Sequence, residues 1–259
     1  MHSYIMGKLS TILVPFDFSI AAKRALEYAV YFTARHHDVQ IILVYISGLG
    51  NFKLLPENFI KLEEKYRTSL KNRLQWTIYE GNLTQAILEV QQSKAVDVIF
   101  IGSFGIHKDS TTEHTNTSNM IVETNCPVLA VPWDYEDFQL KRIALVLGKE
   151  EIEDDNCLAT LLQIAQRFNA KIHVITVEKR LATYSGSKKE EKIINYYLEN
   201  FYTERVFIQN EDVLDGILTY TCNHDIDLVT ILSKSCESSK QDLTQLLALH
   251  SKVPVLVLN

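Results

Sequence analysis

The sequence repeats itself, and the repeat restricts the possible folds more tightly than any other feature. Gln85-Ala86-Ile87-Leu88 leads into the apolar run Val96-Asp97-Val98-Ile99-Phe100-Ile101. Asp215-Gly216-Ile217-Leu218 leads in the same way into Ile226-Asp227-Leu228-Val229-Thr230-Ile231. Both pairs lie 130 positions apart (217 − 87 and 227 − 97). Residues 39–46 answer to 170–177 at an offset of 131, and residues 126–131 to 253–258 at 127 (254 − 127). Several matches in one order, drifting by a few residues as loops change length, amount to a duplication. A chain of 259 residues has room for two domains of ordinary size. The copies are expected at residues 1–135 and 140–259, with residues 132–138 as a short polar and aromatic connector.

Within each copy, strand-like and helix-like segments alternate. Residues 11–16 are β-branched and apolar, as in a buried strand. Behind Ser19, a natural helix cap, Ala22, Leu26, Ala29, Val30 and Thr33 recur at helical spacing. The pattern then predicts a strand at 40–46, a helix at 57–74 with Phe59, Leu62, Tyr66 and Leu70 on one face, and a strand at 75–79. A helix at 83–92, a strand at 96–101, a short helix at 117–123 and a strand at 128–131 complete the copy; the second restarts at Arg142. Near-continuous apolar strands alternating with amphipathic helices imply a parallel sheet covered on both faces. The expected fold is two tandem doubly wound, Rossmann-like α/β domains, each with a five-stranded parallel sheet.

Composition narrows the function. A formal charge of −6 argues against broad binding to a nucleic-acid backbone, which needs clustered Lys and Arg. Apolar runs such as 41–46 and 98–101 fall far short of the roughly 20 residues of a spanning helix, so no membrane partner is expected. Residues 1–10 lack the order of a secretory leader. Cys126, Cys157, Cys222 and Cys236 show no Cys-x-x-Cys spacing, which points away from a zinc knuckle or a disulfide scaffold and fits a reducing compartment. A cytoplasmic protein is expected.

In an open parallel sheet, ligands bind beyond the carboxyl ends of the strands. Two stretches fall there. In Val14-Pro15-Phe16-Asp17-Phe18-Ser19 the aspartate either accepts from a ribose hydroxyl or an adenine amine, or shapes the turn and caps the helix. In Ile101-Gly102-Ser103-Phe104-Gly105 the glycines either admit a ligand close to the backbone or belong to an ordinary loop. The eight histidines suggest no metal site: His36 and His37 suit a helix end, and His107 and His114 have no ligand spacing. Cys126 reads as a small buried hydrophobe rather than a nucleophile.

These two stretches, with Asn125-Cys126-Pro127-Val128-Leu129-Ala130-Val131, resemble the universal stress protein family, and the resemblance extends over nearly the whole chain as two copies. Its nucleotide-binding members carry a Val-Pro-x-Asp start and a Gly-x-x-Gly followed, about nine residues later, by Gly-Ser or Gly-Thr. By position the resemblance implies that Pro15, Asp17 and Ile46 border the adenine and ribose. Gly102, Gly105, Thr115 and Asn116 would face the phosphates, with Ile101 beside the base. The implied ligand is AMP, ADP or ATP, with Mg accompanying a triphosphate. The pattern's third glycine is His114 here, whose side chain would crowd a phosphate. In the second copy the Asp17 position falls on Gly148, and the two glycine positions fall on Leu232 and Ser235, so one ligand site is expected, in the first copy.

The resemblance further implies a stress-response binding or sensing module without efficient catalysis. It also implies antiparallel pairing of the last strands of the two copies into a pseudo-dimer, and allows a homodimer of whole chains. Motifs of the ATP pyrophosphatases (Ser-Gly-Gly-x-Asp-Ser) and nucleotidyl transferases (His-x-Gly-His) do not occur, and a receiver's phosphoacceptor aspartate is missing where Tyr79-Glu80 ends the third strand. A ligand-free structural or partner-binding protein is the alternative, and an ATP-hydrolysing enzyme a third.

Overall fold

The computed structural model describes residues 9–33, 39–47, 55–104, 116–148, 158–178, 194, 196, 198, 200–233 and 238–259, of which 238–242 by backbone alone. The described residues fall into two compact units, Leu9–Phe138 and Gln139–Asn259.

The first unit runs β1 (Thr11–Pro15), α1 (Ile20–Thr33), β2 (Gln40–Ser47), α2 (Leu55–Tyr66), β3 (Gln75–Glu80), α3 (Leu83–Ser93), β4 (Val98–Ser103), α4 (Asn116–Glu123) and β5 (Val128–Pro132). Its strands lie in the order β3-β2-β1-β4-β5, and each of these pairings is parallel. The registers Leu13↔Ile42 and Leu13↔Ile99 place β1 between two apolar neighbours, and Leu13, Ile42 and Ile99 are all fully buried. β3, paired with β2, alternates in exposure as an edge strand does.

The second unit repeats this plan with β6 (Arg142–Val146), α5 (Ala159–Phe168), β7 (Lys171–Glu178), β8 (Tyr202–Gln209), α6 (Val213–Asn223), β9 (Leu228–Leu232), α7 (Ser238–His250) and β10 (Val255–Leu258). The order β8-β7-β6-β9-β10 is that of the first unit, strand for strand, and again parallel.

Repeated residues do repeated structural work. Asp97, just before β4, accepts from the Ser10 N–H at 2.7 Å and the Thr11 N–H at 2.8 Å, tying the start of β4 to that of β1. Asp227, at the same place in the second unit, accepts from the Lys141 and Arg142 N–H groups at 2.7 and 2.8 Å. Asn82 caps α3 through Thr84 N–H, and Asp212 caps α6 through Asp215 N–H.

One expected element is shorter than its periodicity suggested. The helix predicted over 57–74 ends at Tyr66. The Ser69 and Leu70 N–H groups both donate to the Tyr66 carbonyl, at 3.0 and 2.9 Å, closing the helix in a turn. Asn72 then donates to the Val39 carbonyl at 2.9 Å and directs the chain into β3. Leu70 keeps its half-buried place from the turn, so apolar spacing alone could not mark the helix end.

The segment after β5 packs on α1. Arg24 donates to the Trp133 carbonyl at 3.1 Å and meets Glu136 at 3.0 Å, while Tyr31 stacks on Phe138 at 5.9 Å.

Candidate functional site

In the first unit the strand order reverses at β1: the chain proceeds from β1 to β2 on one side and reaches β4 on the other. In open α/β sheets the carboxyl edge at such a reversal is where ligands bind. Pro15 ends β1 and is buried, while Asp17, two residues on, is exposed. Ile46 stands half-buried one residue before the end of β2. Ile101 is buried and Gly102 half-buried in β4. As β2, β1 and β4 are neighbours, these residues share one edge of the sheet. Asn116, exposed, opens α4, and Thr117 beside it donates to the Gly102 carbonyl at 3.2 Å, pinning that helix to the same edge. Gly105, His114 and Thr115 lie outside the described residues.

The β1–α1 turn is organised from within. Asp17 Oδ1 accepts the Ser19 N–H at 2.9 Å. Ser19 Oγ in turn accepts the Ala22 N–H at 3.2 Å and so caps α1. The turn-shaping role of Asp17 is thus real, yet its carboxyl group is exposed and has acceptor capacity for a further donor. Between these two residues Phe18 adopts φ 64°, and its ring lies 4.9 Å from both Phe16 and Phe59. Sequence reasoning passed over Phe18; the available signal was a large aromatic in the middle of a polar turn.

Gly102 has a structural reason to be glycine. A Cβ on it would collide with the Ala21 carbonyl, so the side-chain hydrogen is what lets α1 lie against β4. The same close approach brings the start of α1 to the end of β4.

Other candidates are chemically quiet. Cys126 is buried, its thiol donates to the Val96 carbonyl at 3.5 Å, and burial pushes its pKa up to about 12. Such a thiol is not a nucleophile at neutral pH. Among the described residues no group of three or more His, Cys, Asp or Glu is placed to hold a metal ion; His36, His37, His107 and His114 lie outside them. In the second unit, exposed Gly148 follows β6 where Asp17 follows β1, and half-buried Leu232 stands at the end of β9. Ser235 lies outside the described residues.

Fold and placement define the class: an open, doubly wound α/β protein with its candidate site at the switch point of the first sheet. Residues 8–132 match the model of the universal stress protein family, and the first unit is a domain of that family. No curated protein matches the chain by sequence. Among solved structures, the chain is similar to a universal stress protein from Archaeoglobus fulgidus DSM 4304, at 14% identity and a TM-score of 0.68, over 97% of this chain and 98% of that one. It is equally similar to a protein of Pseudomonas aeruginosa UCBPP-PA14 assigned to the same family, at 15% identity and 0.68, over 98% and 94%. At these identities the likeness establishes the fold, across both units.

Proposed function

We propose that the first unit binds or senses an adenine nucleotide, AMP, ADP or ATP, in a stress response and without efficient turnover. The observation that carries this reading is Asp17: an exposed carboxylate held in a capped turn at the switch point, in a universal stress protein domain, with Ile101 and Gly102 near the end of the neighbouring strand β4. A carboxylate there is an acceptor for ribose hydroxyls or the adenine amine. Half-buried Ile46 supplies apolar surface at the edge that buried Ile101 shares, and Asn116 lies at the amino end of α4, where unpaired N–H groups favour an anion. Gly105 and Thr115 would complete the phosphate side, with Mg required only for a triphosphate. The second unit has glycine at the Asp17 position and leucine at that of Gly102, and takes no nucleotide in this reading. A cytoplasmic setting belongs to the same proposal.

One observation favours a second reading. Asp17 and Gly102 each do a job inside the chain, so neither requires a ligand to account for its presence. A domain that has lost its nucleotide and serves as a partner-binding protein would keep both. Mass spectrometry of gently denatured purified protein separates the two. A co-purifying adenine nucleotide, lost in Asp17→Ala, supports binding; none in the native protein, together with no heat on titration, supports the alternative. Steady phosphate release abolished by Asp17→Ala would instead reveal an enzyme.

A further inference from the structure

Phe18 holds a backbone conformation that its side chain disfavours. Among the described residues, three other than glycine have positive φ: Phe18 at 64°, Asn169 at 51° and Asp225 at 47°. Asn and Asp tolerate the left-handed region, and Asn169 is the C-cap of α5, a usual place for it. A phenylalanine does not tolerate it without compensation, and the compensation is visible in its ring contacts. The ring meets Phe16 edge-on, at 4.9 Å and 72°, lies 4.9 Å from Phe59 of α2, and 6.1 Å from Tyr45 of β2. Phe59 is itself fully buried and stacks on Trp76 of β3 at 4.9 Å and 9°. Phe18 is therefore anchored on β2 and α2 directly, and on β3 through Phe59. Its two neighbours do different work: Asp17 before it is exposed, and Ser19 after it caps α1.

We propose that Phe18 is the positioning residue of the nucleotide site. Its ring, gripped by Phe16, Tyr45 and Phe59, holds the left-handed turn that brings the Ser19 N–H onto Asp17 Oδ1. The carboxylate is thereby presented to the ligand in one orientation, and the ordering cost is met before binding rather than during it. Glycine would satisfy the backbone angle equally well but would leave the turn unanchored. This inference rests on the functional reading above for the identity of the ligand; the claim about the turn stands apart from it.

The test compares native protein with Phe18→Gly and Phe18→Tyr. AMP affinity is measured by calorimetry, and exchange of the Ser19 amide proton is measured by NMR relative to that of Leu13 in β1. Phe18→Gly is expected to exchange Ser19 about tenfold faster than native against the Leu13 reference, and to bind AMP about tenfold more weakly. Phe18→Tyr keeps the ring and is expected to stay near native in both. A ring that only adds stability would speed Ser19 and Leu13 together, and that result overturns the proposal. So does native AMP affinity with unchanged Ser19 exchange in Phe18→Gly. Should Phe18→Gly fail to fold, Phe59→Leu removes one face of the clamp and is judged by the same two readings. If native protein binds no AMP, the functional reading fails, and Ser19 exchange alone decides whether the ring sets the turn.

Discussion

At Gly102 a hydrogen stands where any other residue would press a Cβ into the Ala21 carbonyl, and a backbone group has little room to yield. Gly102→Ala should therefore destabilise the protein by about 1–3 kcal/mol, as overpacking does. Urea unfolding would measure it, and a midpoint unchanged from native would mean that α1 can withdraw from β4 at no cost. His114 poses a different question, because a side chain there would obstruct backbone donors to phosphate, if the family pattern holds in this loop. The expected consequence is ATP affinity no stronger than AMP affinity. His114→Gly should then improve ATP binding more than AMP binding in parallel calorimetric titrations. Tight native ATP binding that His114→Gly weakens would show that the histidine assists the phosphates instead.

Individual elements are held at their ends by polar residues that the duplication repeats. Asp97 accepts three hydrogen bonds from Ser10 and Thr11, and Asp227 accepts two from Lys141 and Arg142. Asp97→Ala leaves two strand-end N–H groups without their acceptor, and a loss of about 2–3 kcal/mol is expected on urea unfolding. A change within experimental error would show that water replaces the carboxylate freely. On β7, His173 is buried, with its Nδ1 3.0 Å from the Tyr220 hydroxyl of α6 and 3.3 Å from the Glu204 carboxylate of β8. Burial holds its pKa below the ordinary 6.5; His224 and Arg142 push the same way, and Glu204 opposes them. The unfolded chain therefore takes up this proton first as pH falls below about 6.5. Stability is lost from there down to the folded-state pKa and is unaffected above. His173→Phe should lose less stability than native between about pH 7.5 and about pH 5.5; an equal loss would assign the acid sensitivity elsewhere.

The alternation of strands and helices, the Ser19 cap and the placement of Asp17 beyond β1 were legible in the sequence, because they depend on local periodicity and short-range chemistry. The end of α2 was not, since Leu70 keeps the apolar spacing while the backbone has already turned. Nor was the Phe18 clamp, whose partners Tyr45 and Phe59 come from distant elements. The packing role of Gly102 was hidden for a related reason: a glycine required by helix packing and one required by a ligand look alike in a string of letters.

Across the whole molecule, duplication has preserved a skeleton and let one edge diverge. Both units keep the same strand order and the same aspartate ties, while the positions of Asp17 and Gly102 carry Gly148 and Leu232 in the second. The nucleotide site proposed for this protein belongs to the first unit. Calorimetric titration of AMP into native protein, Asp17→Ala and Gly148→Ala tests it most directly. One binding event per chain is expected, weakened by about 1–3 kcal/mol in Asp17→Ala through loss of a hydrogen-bond acceptor, and unchanged in Gly148→Ala. Two binding events per chain, or equal losses from the two substitutions, would contradict it.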